Sequence, residues 1–335
     1  MEDLMEKISL TGIKPTGTPH LGNLLGAIRP GIELSEQYRA FYFIADYHAL
    51  NSIRDPHILR QYSYEVAAAW LACGLDPERV VFYRQSQVPE TFELSTMLCC
   101  FTAKGLMNRA HAYKASVARN NEAGKDPDDG VNIGLYTYPV LMAADILLFD
   151  ADVVPVGKDQ FQHVEMAADI AQAFNFVYGK EWIKVPQPLY REETQTVVGL
   201  DGQKMSKSYH NTIPLFAPTK ELKNLIMRIV TNSQGIEESK DPEQSSIFAL
   251  YRLFATPEET ETLRQRYLAG GMGWGHAKTT LFEKLESIIS PIRAKYDELM
   301  NDKPYIDSLL LAGSHKAREL AAKKLDVLRK VTGIV

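Results

Sequence analysis

An unbroken apolar run, Ala40-Phe41-Tyr42-Phe43-Ile44-Ala45, constrains this chain more than any other segment. Six apolar residues without polar alternation suit a strand covered on both faces, as in parallel sheets flanked by helices. The surrounding sequence supplies the alternation that such a sheet needs. Residues 7–13 read as a strand, 21–38 as a helix, 56–73 as a helix and 80–83 as a third strand. Helices are expected within 90–119 and 138–149, a further strand at 153–156, and a helix from Gln160 to about Tyr178. This order predicts an α/β fold, a doubly wound Rossmann-like parallel sheet, with its site at the carboxyl ends of the strands.

Strand signals fade after Lys204. From Thr219 onward the pattern is helical, broken at Gly235, at Pro257 and at the glycine-rich stretch 270–275. A smaller C-terminal helical domain is therefore expected over 216–335, behind a catalytic domain over 1–215. A chain of 335 residues is long enough for both.

Composition narrows the functional classes. No run of 18 apolar residues exists, so no membrane partner is expected. The acidic start Met1-Glu2-Asp3 is unlike a secretory or transit leader. Cys73, Cys99 and Cys100 make neither a disulfide framework nor a metal set, which implies reduced thiols, a cytoplasmic location and no metal ligands. Cys99-Cys100, inside a Met-Leu-Cys-Cys-Phe run, is expected to pack. A net charge of −5 argues against a large duplex-binding surface. Two basic stretches remain, Lys104, Arg109, Lys114 and Arg119, and a tail with Lys316, Arg318, Lys323, Lys324, Arg329 and Lys330. Each reads equally as a solvated helix face or an RNA patch.

Four segments carry chemistry. In Thr16-Gly17-Thr18-Pro19-His20-Leu21-Gly22-Asn23, a strand passes through a glycine turn into a helix start. Backbone N–H groups there favour an anion, and His20 and Asn23 can donate to phosphate oxygens. Lys204-Met205-Ser206-Lys207-Ser208 places two ammonium groups on a loop suited to closing over phosphates. One such charge about 4 Å from a phosphate is worth roughly 4 kcal/mol at an effective dielectric near 20. No Gly-x-x-x-x-Gly-Lys-Ser/Thr loop is present, which disfavours a P-loop nucleotidase. Helical spacing puts Tyr138, Met142 and Asp145 on one face, where a carboxylate among apolar residues needs a partner. In Pro155-Val156-Gly157-Lys158-Asp159-Gln160, Asp159 can cap a helix or face a ribose.

Together these segments resemble the class I aminoacyl-tRNA synthetases. His20-Leu21-Gly22-Asn23 is similar to that family's HIGH motif and Lys204–Ser208 to its KMSKS motif. The pattern most resembles the tryptophan-specific family, through Tyr138–Asp145, Val154–Gln160 with Gln162-His163 behind, Val230–Ser233 and the stretch from Tyr267 to Gly275. The related tyrosine enzymes tend to carry Gln where Met142 stands. An indole instead wants an apolar slot and one acceptor for its N–H, which Met142 and Asp145 supply.

The resemblance implies ATP-dependent activation of L-tryptophan to its adenylate, followed by transfer to the 3′ end of tRNA(Trp), with Mg²⁺ and a homodimer. It assigns ATP to Lys14, Thr16, Gly17, His20, Gly22, Asn23, Gly157, Asp159, Lys204, Met205, Ser206 and Lys207. His20, Asn23, Lys114, Lys204 and Lys207 would carry the catalysis. Tryptophan would lie among Leu10, His48, Tyr138, Met142, Asp145, Val154, Val156 and Gln160, with Tyr138 and Gln160 on its ammonium. Domain 216–335 would bind tRNA and read the anticodon, with a last helix able to pack back on the catalytic domain. Leu10 stands where an aromatic residue is frequent, Lys14 where glutamine is, and Asn232 where Asp is. Two rival readings keep the fold, a small nucleotidyltransferase and a non-catalytic synthetase-like regulator. The long helical tail speaks against the first, and intact His20, Asn23, Lys204 and Lys207 against the second.

Overall fold

The structure, a computed structural model, describes residues 7–157, 160–190 and 197–335. One parallel sheet holds β1 (Ile8–Ile13), β2 (Arg39–Ile44), β3 (Val81–Arg84), β4 (Val153–Val156) and β5 (Gln187–Tyr190). Their order is β3-β2-β1-β4-β5. It reverses between β1 and β4, and the carboxyl ends part there to leave a crevice. β1 runs into the 14–20 loop at that crevice, and β4 runs into Gly157. The α/β class and the C-terminal helices follow the sequence reading.

Four local features depart from it. The expected helix over 21–38 is interrupted: Leu21–Asn23 passes through a π turn at Leu24–Ile28 into Arg29–Ser35. Pro30 lies just past the π turn, and the wider turn makes room for a ring that would crowd the preceding carbonyl. The helix expected from residue 138 begins at Ile133, where Asn132 Oδ1 accepts the Leu135 N–H at 2.8 Å. β5 was not anticipated at all. It is a short edge strand with Pro188 inside it, and a proline weakens the sequence signal while an edge tolerates it. Cys99 and Cys100 are exposed rather than packed, because the Glu90–Cys99 helix ends there. The polar loop after His111–Glu122 is pinned by Asn120 Nδ2, which donates to the Pro127 and Asp129 carbonyls at 2.9 Å each.

Period-two alternation divides the core in two. Ala40, Tyr42 and Ile44 face one apolar cluster, together with Phe82 and Trp70. Phe41, Phe43 and Ala45 face the other, with Tyr83 and the helices Glu90–Cys99, Ile133–Leu147 and Phe161–Val177. The first cluster continues through Ile213, Leu215, Ala217 and Leu222 into the helices Pro257–Ala269 and Trp274–Asn301. The last helix, Lys303–Thr332, joins the two clusters around the β3 edge. Ile306 and Leu310 lie in the first, Ala317, Ala321, Leu325 and Leu328 in the second. Gly313 is its pivot: a Cβ there would lie 1.9 Å from the Phe82 carbonyl oxygen. Arg318, Lys324 and Arg329 form ion pairs with Glu90, Asp150 and Glu93. Half of the basic tail thus docks this helix on the sheet domain. No described helix is long and apolar enough to cross a membrane.

Candidate active site

The two loops singled out in the sequence meet in space. Leu21 N–H donates to the Ile213 carbonyl at 3.0 Å, and Leu215 N–H to the Pro19 carbonyl at 2.9 Å. This short antiparallel pairing, with a bridge between His20 and Pro214, ties the 16–23 loop to the chain just beyond Ser208. Lys207 Nζ then reaches the Thr16 carbonyl at 3.3 Å. Gly17 has φ +123°, a conformation that favours glycine, and a Cβ there would lie 2.9 Å from Lys207 Nζ. The backbone shape favours glycine at this position, and the missing side chain leaves room for the ammonium to approach.

His20 folds its ring back over Gly22 and beside the Met205 sulfur. It is buried, and its Nδ1 has no partner among the described residues. Burial, reinforced by the Lys207 charge, pulls its pKa down to about 4, so the ring is neutral at pH 7. Burial also lowers Lys14 and Lys207, against the opposing charge of Glu65 on Lys207. The stem of Lys207 is exposed while its ammonium end turns inward onto Thr16. Asn23 Oδ1 accepts the His20 backbone N–H at 3.0 Å, which leaves its amide nitrogen as the group able to donate. Desolvated ammonium groups and an orphaned imidazole nitrogen around a glycine turn form a socket for a polyanion.

The lysine loop is held from within by Asn211, which sequence reading missed. Asn211 is buried; its Oδ1 accepts Ser206 N–H at 2.8 Å, and its Nδ2 donates to Asp201 Oδ1 at 2.7 Å and to the Lys204 carbonyl at 3.1 Å. Met205 anchors the same loop in the core. Lys204 is exposed at its start.

A second cluster of site residues centres on Asp145, on the helix Ile133–Leu147. Asp145 is 2% exposed. His48 Nε2 is 2.9 Å from its Oδ2, and Gln85 Nε2 donates to both oxygens at 2.9 Å. Burial raises the Asp145 pKa, while the bonds from His48 and Gln85 favour the carboxylate. Gln85, just past β3, is wholly buried, and its Oε1 has no partner among the described residues. An orphaned buried acceptor costs about 1–3 kcal/mol. Gln85 was also missed in the sequence, although a polar residue at the carboxyl end of a buried strand is the signal to look for. Leu10 and Val154 belong to the adjoining apolar cluster, with Met142 and Val156 packed against it. Tyr138 sits edge-on to His48 at 6.3 Å between ring centroids. Its hydroxyl is 2.5 Å from His163 Nε2, and His163 Nδ1 is 2.9 Å from Gln160 Oε1.

The expected residues thus form two groups. His20, Gly22, Lys207, Thr16 and Gly17 come together at the triphosphate-like socket, with Met205, Ser206 and Asn23 bracing it. His48 and Asp145 are bonded directly, Tyr138 stands against His48, and Gln160 is linked to Tyr138 through His163. Gly157 lies at the end of β4, where its carbonyl accepts Gln160 N–H at 3.0 Å. Lys114 stands exposed on the helix His111–Glu122, with no bond to either group. Asp159 and Lys158 lie outside the described residues.

Residues 5–290 match the model of the class I tRNA synthetases for tryptophan and tyrosine. The chain is 55% identical over 328 residues to a tryptophan–tRNA ligase of Bordetella parapertussis, covering 97% of this chain and 72% of that protein. It is 53% identical to the corresponding ligase of Pseudomonas aeruginosa, over 97% of this chain and 73% of that protein. Among solved structures it resembles a tryptophanyl-tRNA synthetase of Campylobacter jejuni complexed with ADP and tryptophan. The TM-score is 0.90, the identity 44%, and the coverage 97% of this chain and 99% of that one.

Proposed function

The chain belongs to the class I tRNA synthetase family that serves tryptophan and tyrosine, and from that membership we propose how its own residues perform the reaction. It activates L-tryptophan with ATP to tryptophanyl-adenylate and charges tRNA(Trp). The observation that carries the mechanism is the contact of Lys207 with the Thr16–Gly17 turn.

The ATP triphosphate enters the socket of Thr16, Gly17, His20, Gly22 and Asn23, with Lys14 at its entrance. The tryptophan carboxylate attacks the α-phosphorus. A C–O–P bond forms, the bond from the α-phosphorus to the bridging oxygen breaks, and that electron pair leaves with pyrophosphate. Charge grows on the β- and γ-phosphates as this happens. Lys204 and Lys207 then attract them more strongly than in the ground state, which accelerates the step. Neutral His20 donates one N–H without adding a proton to the balance. No side-chain nucleophile is needed, because positioning and charge neutralisation supply the rate. In the second step the terminal hydroxyl of the tRNA attacks the acyl carbonyl, and AMP leaves.

Tyr138 and Gln160 face the α-ammonium group, and Asp145 accepts the indole N–H between Met142, Leu10, Val154 and Val156. Asp159, Gly157, Met205 and Ser206 complete the ATP site in this reading, with Lys114 as a further phosphate contact. Mg²⁺ belongs to the nucleotide. The groups around the socket are ammonium donors, and no set of three or more His, Cys, Asp or Glu among the described residues could hold a metal. Phosphate oxygens therefore fit as its ligands, and no protein step passes through it. In this reading 1–215 is the catalytic unit, and 216–335 is the helical unit that binds tRNA and reads the anticodon. A homodimer acting in the cytoplasm belongs to the same reading and is checked by sedimentation.

Amino-acid-dependent ATP–pyrophosphate exchange across all twenty amino acids tests the reading. Exchange with tryptophan alone is expected, and exchange that fails with tryptophan but proceeds with tyrosine would overturn it.

A further inference from the structure

We propose that Gln85 is a positioning residue for the indole, holding the Asp145 carboxylate so that Oδ1 remains to accept the indole N–H. This rests on the reading in which Asp145 faces the indole. A carboxylate offers about four in-plane acceptor sites, two on each oxygen. Gln85 Nε2 is 2.9 Å from both oxygens, so it lies near the bisector and occupies the inner site of each. His48 Nε2, 2.9 Å from Oδ2, takes an outer site on that oxygen. Among the described residues Oδ1 receives no donor besides Gln85. The outer site of Oδ1 is the position left for a ligand.

The unsatisfied Oε1 supports the same assignment. Gln85 is completely buried and leaves that oxygen without a partner among the described residues, although a leucine or methionine would fill the space with no orphan. What the amide supplies there is its N–H₂ group, and its recipient is Asp145. Burial favours the protonated form of Asp145, which would replace one acceptor by a donor. The amide of Gln85 opposes that, and it also fixes the plane of the carboxylate. The residue acts on the substrate through Asp145 and not by contact.

The test compares tryptophan with 3-(1-benzothiophen-3-yl)alanine, in which sulfur replaces the indole N–H. Gln85→Met is expected to raise KM for tryptophan about ten- to a hundredfold in pyrophosphate exchange, the span of one hydrogen bond to a charged group. It should change KM for the sulfur analogue much less and leave kcat near that of the unsubstituted protein. Equal losses for both ligands assign Gln85 to the fold and overturn the proposal. Asp145→Ala separates the two levels. If it also fails to discriminate the ligands, the reading of Asp145 falls; if it discriminates and Gln85→Met does not, only the role of Gln85 falls. The tryptophan complex of the unsubstituted protein gives an independent measurement. The indole nitrogen is expected about 2.9 Å from Oδ1, and finding it on Oδ2 or on Gln85 Oε1 overturns the assignment.

Discussion

The ammonium of Lys207 rests 3.3 Å from the carbonyl oxygen of Thr16, across 191 residues of chain. The contact holds a cation against the turn whose glycine admits it, before any phosphate arrives. Glu65, on the helix Pro56–Ala72, adds a negative charge within reach of the same ammonium. A neutral carbonyl binds an ammonium more weakly than a phosphate does, so the lysine can exchange one for the other.

Lys207→Ala should therefore depress adenylate formation more than tryptophan binding. A loss of about 10²–10³ in kcat is expected, the scale for removing one group aimed at developing charge. KM for tryptophan should shift little. Pyrophosphate exchange at saturating ATP measures both quantities, and equal losses in the two would contradict a transition-state role.

His20 makes stability depend on pH. Its pKa is about 4 in the folded protein, against an ordinary value near 6.5. Between these values the unfolded chain binds a proton that the folded one refuses. Stability therefore falls as pH drops from about 6.5 to about 4, by up to about 3 kcal/mol. His20→Gln should flatten that slope. Urea unfolding of both proteins at pH 7 and pH 4.5 checks it, and parallel losses would exclude His20 as the cause.

Asn211→Ala should loosen the lysine loop without unfolding the protein. It removes the acceptor for Ser206 N–H and both donors to Asp201 and the Lys204 carbonyl. The expected result is a KM for ATP raised about tenfold or more, the equivalent of one to two hydrogen bonds. KM for tryptophan should stay unchanged, since its pocket lies on another helix. Steady-state kinetics in the two substrates separates these outcomes.

Gly313→Ala should push the last helix off β3. The added methyl would meet the Phe82 carbonyl oxygen, an atom of a strand that cannot yield locally. Overpacking of this kind costs about 1–3 kcal/mol. Because β3 leads directly into Gln85, tryptophan binding should weaken in parallel with stability. Denaturant titration and fluorescence binding measure the two, and a variant with lowered stability but unaltered tryptophan affinity would uncouple helix and pocket.

The legible part of the fold came from local patterns. The Ala40–Ala45 run, the Val80–Tyr83 run and the helical spacing around Pro56 declare themselves within a few residues, because burial on a sheet or helix face repeats along the chain. β5 hid behind Pro188 and its own brevity, and the π turn behind Pro30. The candidate site divides the same way. His20, Lys204, Lys207 and Asp145 stood out by residue type and spacing. Gln85 and Asn211 did not, since an isolated amide carries no periodic signal.

The sequence by itself determined the sheet class, the glycine turn, the paired lysines and the helix face bearing Tyr138, Met142 and Asp145, because each is set by neighbours along the chain. Tertiary structure alone decided that Asp145 would meet Gln85 across 60 residues of chain and His48 across 97. It also decided that half of the basic tail would dock against Glu90, Glu93 and Asp150. Those pairings depend on how strand order and helix crossings bring distant segments together. A buried polar group finds its partner in space, and adjacency in the chain carries no record of that choice.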